Sequence, residues 1–226
     1  VAAYQRRGKG PGAEGESARR EEAAMIREWW NDYKVDLPEG RVGDWAIERF
    51  EITPDAAKLE NLRLTFSGAG YRMLQPGICT RLMHRSVLIM SDTRAEIRDH
   101  LEIIRRAKGQ VLLNGLGLGM VLRACLLNQL VQHITVIEIA PEVIALVVPR
   151  LREQFGEKFT AHEGDAFTWT PPRGTRYNVV WHDVWNDLCE DNLPEMHKLH
   201  RRYGCRCDWQ GSWGRDELKY RRERMR

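Results

Sequence analysis

The chain has 226 residues, 42% of them hydrophobic, and a formal net charge of +3. That length suits one domain with an extension, or two small ones. So slight a charge gives no argument for nucleic acid as partner or substrate, and none is expected. No apolar run reaches the roughly 18–20 residues of a membrane span. The five cysteines are an odd number in a chain of ordinary size. Free thiols and a reducing compartment follow, so the chain is expected in the cytoplasm.

In chain order, residues 1–20 are rich in Gly, Arg and Glu and lack an apolar core. They read as a disordered tail and not as a secretory signal. Residues 21–91 read as a helix followed by a small α+β lead-in. The helix, Glu21 to Tyr33, puts Met25, Ile26, Trp29 and Trp30 on one side. "DWAIERFEI" alternates like a strand. "TPDAAKLENLRLTF" opens with a Thr53 cap and Pro54 in the first helical position, then repeats apolar residues at helical spacing. "GAGYRMLQPG" is a loop by its glycines and proline, placed to act as a lid whose Tyr71 and Arg72 touch an acceptor. "TRLMHRSVLIMSD" is one or two strands.

Residues 92–226 alternate regularly. "SDTRAEIRDHLEIIRRAKG" predicts one helix, capped by Asp92 or Thr93, with Glu96 completing a capping box with Thr93 and Gly109 as stop. Strand "QVLLN", helix "GMVLRACLLNQL" and strand "HITVIEI" come next. "APEVIALVVPRLREQFG" is a helix with Pro141 in its first turn and a kink at Pro149. Strands "KFTAHEGD" and "YNVVWHDV", helix "EDNLPEMHKLHRRYG" and a short strand "CRCDW" complete the series. A turn and a solvated basic helix close the chain. The fold class is therefore α/β, a Rossmann-like parallel sheet of about five strands in the order 3-2-1-4-5. Nothing is left to form a sixth or seventh strand. The pocket wall they would make is missing, or comes from the N-terminal part, or from a second subunit of a homo-oligomer. Cys205 and Cys207 sit in a strand-like run, with Cys189, His197 and His200 upstream, and read as thiols rather than zinc ligands.

"VLLNGLGLGM" places Gly115, Gly117 and Gly119 directly after the first parallel strand, where such sheets bind ligands. A phosphate-cradling loop would end in Gly-Lys-Ser/Thr, which is absent. A dinucleotide fingerprint would carry its third glycine one residue later, where Met120 stands. The remaining reading is a nucleoside bearing an amino acid. Glu138 ends the second strand, 19 residues after Gly119. A carboxylate there accepts hydrogen bonds from ribose hydroxyls and repels a 2′-phosphate. Asp165 follows Gly164 beyond the third strand. It suits an adenine amine, although Gly-Asp also favours a turn by itself. "WHDVWND" puts Trp181, Asp183 and Trp185 on one face while strand geometry persists, a cluster suited to a cationic amine; His182 points the other way. Trp209 and Trp213 are expected to pack on Trp29 and Trp30.

The glycine loop, Glu138, Gly164-Asp165 and the "YNVVWHD" strand together resemble the successive motifs of class I S-adenosylmethionine-dependent methyltransferases. Within that superfamily the chain most resembles the spermidine synthase-like branch, over roughly residues 91–209. The resemblance implies S-adenosylmethionine, or its decarboxylated form, as cofactor. It implies Gly115, Gly117 and Gly119 beside the methionine part, Glu138 on the ribose, Asp165 on the adenine and His100 near the nucleoside. Asp183 would help to deprotonate an attacking amine, with Asp187 as a second acid and Trp185 reshaping the acceptor pocket. That branch usually carries G-G-G-D-G where this chain has "GLGLG". Three functions stay open: methyl transfer to a small, amine-bearing acceptor, aminopropyl transfer, and nucleoside binding without catalysis.

Overall fold

The structure is a computed structural model and describes residues 30–224. The expected tail and most of the expected first helix, including Met25, Ile26 and Trp29, lie outside the described residues. Residues from Tyr33 onward form one compact unit.

Two sheets build this unit. The first is antiparallel, in the order β1 (Gly40–Val42), β2 (Trp45–Ile52), β3 (Gly77–His84), β4 (Val87–Ser91). Helix α1 (Pro54–Phe66) joins β2 to β3. The Thr53 side chain accepts the Ala56 N–H at 3.2 Å, which supplies the expected cap. The apolar spacing in α1 does not make a buried stripe, however. Leu59, Leu62 and Phe66 are exposed and only Ala57 is buried. Asp92 ties this sheet down: its buried carboxylate accepts the N–H groups of Thr80 at 2.6 Å and Val35 at 3.2 Å.

The second sheet is parallel and Rossmann-like. Its strands are β5 (Gly109–Asn114), β6 (Val131–Glu138), β7 (Phe159–Glu163), β8 (Tyr177–His182) and β9 (Cys207–Ser212). They lie in the order β7-β6-β5-β8-β9, the expected 3-2-1-4-5. Val111, Leu112 and Leu113 on central β5 are all buried, as a strand covered on both faces requires. The accompanying helices are α2 (Arg94–Asp99), α3 (Leu101–Arg106), α4 (Met120–Leu126), α5 (Pro141–Phe155), α6 (Asn192–Tyr203) and α7 (Arg215–Arg224).

Several local expectations are corrected. The single helix expected before β5 is two, α2 and α3, broken at His100 with φ −105° and ψ 5°. Thr93 makes no side-chain cap. Glu96 reaches back instead to Ser91, accepting its N–H at 2.8 Å and its hydroxyl at 2.7 Å. Cys205 is exposed in a 3₁₀ turn, and only Cys207 enters β9. Of the expected packing of Trp209 and Trp213 on Trp29 and Trp30, Trp29 lies outside the described residues; Trp209 has its described neighbours on β8 and α3. It stacks with Trp181 at 6.3 Å between ring centroids, and the Arg106 guanidinium lies 4.7 Å from its ring.

On the face of β8 away from Trp181, His182 is fully buried. Its Nδ1 lies 2.8 Å from the Asn114 amide nitrogen and its Nε2 lies 3.3 Å from Gln210 Oε1. A neutral ring satisfies both, accepting at Nδ1 and donating at Nε2. Burial pushes His182 down to about 3. Such a group stabilises the fold fully above the unfolded histidine value and loses that contribution as pH falls. Wild-type stability should therefore drop below pH 6.5, with His182 contributing about 1.4 kcal/mol per pH unit. In urea denaturation series between pH 7 and pH 5, His182→Asn should show a shallower slope than wild type; an equal slope would show that His182 is not buried neutral.

Candidate functional site

A cavity of about 490 Å³ opens at the C-terminal ends of the parallel strands. It brings together Gly115, Gly117, Glu138, Asp165, Asp183 and Trp185, with His100 at its floor. The facing wall comes from the antiparallel sheet, through Trp45, Leu82, His84 and Met90. Among the described residues, the N-terminal part supplies this wall.

The glycine loop owes its composition first to its protein neighbours. Gly115 has φ +100°, and a Cβ there would collide with the backbone carbonyl of Asp183. A Cβ on Gly117 would stand 2.5 Å from Met90 Sδ. Gly119 departs from its expected place, for it does not line the cavity. It caps α4 at φ +70°, and a Cβ there would stand 2.5 Å from Leu151 and 2.8 Å from Val147 on α5. Its lack of a side chain lets two helices approach.

The loop N–H groups are mostly spent. Gly115 donates to Ile137 O at 2.8 Å, Leu116 to Glu138 Oε2 at 2.8 Å, Leu118 to Met90 Sδ at 3.4 Å and Gly119 to Leu116 O at 2.8 Å. The Gly117 N–H has no partner among the described residues. Glu138 is buried and also accepts the Ala140 N–H at 2.9 Å, on Oε1. Each of its oxygens keeps a further lone pair for a ligand. Asp165 Oδ1 accepts the Phe167 N–H at 2.8 Å, the turn that Gly-Asp favours. Its Oδ2 takes no hydrogen bond among the described residues.

His100 and Asp183 form the firmest polar contact in the cavity. His100 Nε2 lies 2.7 Å from Asp183 Oδ2, and Nδ1 lies 2.8 Å from the Glu96 carbonyl. A carbonyl can only accept, so Nδ1 carries a proton; an ionised carboxylate can only accept, so Nε2 carries one too. The Asp183 carboxylate beside Nε2 and the carbonyl at Nδ1 both favour a protonated ring. Burial alone would lower the His100 value, but the Asp183 carboxylate and the Glu96 carbonyl more than offset it and raise it. Burial pushes the Glu96 carboxyl up as well.

Other expected residues stand elsewhere. β8 ends at His182, so the alternation does not reach Trp185. Trp181 is buried in the core and does not line the cavity. Asp187 is exposed and lies outside the cavity, because the chain turns toward α6 after Asn186. Trp185 does line it, with Nε1 donating to Glu195 Oε2 at 2.7 Å. The Tyr71 side chain lies outside the described residues. Arg72 pairs with Asp99 on α2 at 2.7 Å instead of facing an acceptor.

Sequence reasoning missed Trp45, His84 and Glu96, and took Trp213 for a packing residue although it lines the cavity. Strand alternation puts Trp45 and His84 on one face of their sheet, yet nothing local says that this face meets the glycine loop. Among the described residues, no lysine or arginine lines the cavity, whereas Glu96, Glu138, Asp165 and Asp183 do. Such a lining attracts cations and disfavours a pyrophosphate.

The His100–Asp183 pair has measurable consequences. A histidine raised on folding stabilises fully below its unfolded value, near pH 6.5, and loses that contribution as pH rises through its folded value. His100→Gln should cost about 1.5–3 kcal/mol at pH 6, because it replaces a charge-assisted hydrogen bond to a partly buried carboxylate with at best a neutral one. It should also remove the alkaline decline in urea midpoint that wild type shows above pH 6.5; a variant declining as wild type does would refute the imidazolium assignment.

No family model and no curated protein sequence matches the chain. Solved structures similar to it include the CcbJ methyltransferase from Streptomyces caelestis, 17% identical over 49% of this chain and 44% of that one, with a TM-score of 0.40. A dimethyladenosine transferase from Plasmodium falciparum is 19% identical over 44% and 34% of the two chains, with a TM-score of 0.33. The YcgJ protein from Bacillus subtilis is 18% identical over 46% and 43%, with a TM-score of 0.36. The chain thus spans less than half the length of each of these proteins. These are likenesses of α/β fold at low identity, and the chemistry of the cavity rests on its own residues.

Proposed function

We propose that the chain binds S-adenosylmethionine and transfers its methyl group to a small, amine-bearing acceptor. One observation carries this reading. A single cavity gathers an unpartnered loop N–H at Gly117, the Glu138 carboxylate and the free Asp165 oxygen, with no lysine or arginine among its described lining residues. These groups fit a cationic nucleoside. Glu138 would accept ribose hydroxyls on its remaining lone pairs, Asp165 Oδ2 an adenine amine, and Gly117 would donate to the amino-acid end.

Bound there, the sulfonium supplies an activated methyl group with a neutral leaving group. The protein's task is then mainly to hold the acceptor in line, which accounts for most of such a rate. Asp183 is suited to it. His100 fixes its Oδ2, and its Oδ1 is without a described partner, left for an amine to be held or deprotonated. Trp185 and Trp213 offer aromatic faces beside it for an ammonium group. The second reading is aminopropyl transfer from the decarboxylated cofactor, in keeping with the spermidine synthase-like resemblance. The four carboxylates among the described lining residues favour it, since the decarboxylated cofactor carries one negative charge fewer.

Calorimetric titration with S-adenosylmethionine, its decarboxylated form and NAD tests both. S-adenosylmethionine should bind and NAD should not. Glu138→Gln, which exchanges one acceptor oxygen for a donor, should weaken binding by about 1.5–3 kcal/mol. Preference for the decarboxylated form would favour aminopropyl transfer. Binding of neither sulfonium would sink the proposal.

A further inference from the structure

We infer that Trp45, on the antiparallel sheet, is a cofactor-binding residue that closes the nucleoside half of the cavity. This rests on the S-adenosylmethionine reading above and extends it to a residue outside the parallel sheet.

The placement follows from the β1–β2 hairpin, which lies along the first half of α5. A Cβ built on Gly40 would stand 3.6 Å from Leu146 Cδ2, and one on Gly43 would stand 3.6 Å from Glu142 Cγ. Helix α5 starts at Pro141, three residues after Glu138. Trp45 follows Gly43 by two residues, and Val143 follows Glu142 by one; both Trp45 and Val143 line the cavity. Trp45 therefore sits at the Glu138–Val143 corner, where a ribose held by Glu138 would lie. Asp183, Trp185 and Trp213 come from the ends of β8 and β9, on the other side of central β5.

The ring is also held in place. Trp45 and His84 are directly opposite each other in the β2–β3 register. Their rings stack at 4.5 Å between centroids, 23° from parallel. Strand register thus makes one aromatic wall of two residues, with little rotamer freedom left to lose on binding. Trp45 is only half-buried, so part of this wall stays open to the cavity. A flat apolar surface beside a ribose-binding acid suits a purine nucleoside, since stacking on an aromatic side chain favours any base.

The test compares wild type, Trp45→Ala, Trp45→Phe and Glu138→Gln by calorimetry, with S-adenosylmethionine and with methylthioadenosine, which lacks the amino acid. Trp45→Ala should weaken both ligands alike, by roughly tenfold, the size of one lost base stack. Trp45→Phe keeps a ring and should restore most of the affinity; it also guards against misfolding of the alanine variant. If S-adenosylmethionine binds and depends on Glu138 but is indifferent to Trp45→Ala, this inference falls and the function stands. A loss confined to S-adenosylmethionine would move Trp45 to the amino-acid end and likewise overturn it. If wild type binds neither ligand, the reading of function fails first and the inference goes with it.

Discussion

The site depends on how closely two backbones can pass. At Gly115 the chain turns at φ +100° against the carbonyl of Asp183, leaving no room for a side chain. The Asp183 N–H donates to Asn114 O at 2.8 Å, so the ends of β5 and β8 are tied at the same point. This contact sets Asp183 at the cavity rather than one residue further along. It is also why the aspartate meets His100, which the break between α2 and α3 aims into the same space. A side chain at position 115 would push the two strand ends apart and dissolve the arrangement.

The charges in the cavity follow from that geometry. Both nitrogens of His100 face acceptors, which favours a protonated ring beside one carboxylate. Glu138 and Asp165 spend part of their hydrogen-bonding capacity on the protein's own backbone, and that is what orients them. Among the described lining residues there are four carboxylates and no lysine or arginine, so their balance is acidic. A cavity of this kind selects positively charged ligands before any detail of shape is considered.

The two sheets divide the work. The parallel sheet contributes polar groups at its strand ends, as its topology dictates. The antiparallel sheet contributes the apolar wall and reaches the glycine loop through Met90, whose sulfur accepts the Leu118 N–H. The cavity therefore exists only because the lead-in folds over the strand ends. Its Trp45–His84 stack is a product of cross-strand register, as Trp45 and His84 are direct partners.

Much of this was legible in the residues. Alternating periods of two and near four, broken by glycine and proline, were enough to place the strands and helices and to order the parallel sheet. Those signals are local, and right-handed crossovers leave few topologies to choose from. Glu138, Asp165 and Asp183 could be singled out because the ends of parallel strands converge by construction. Tertiary structure alone decided the rest. Asp187 lay five residues beyond the end of β8, and Trp181 went to the core. Gly119 proved to serve the approach of α4 to α5, and Trp45, His84 and Trp213 proved to line the cavity. Each of these turns on which face of one element meets another distant in sequence. Packing chooses that face, and no periodicity within a segment records it.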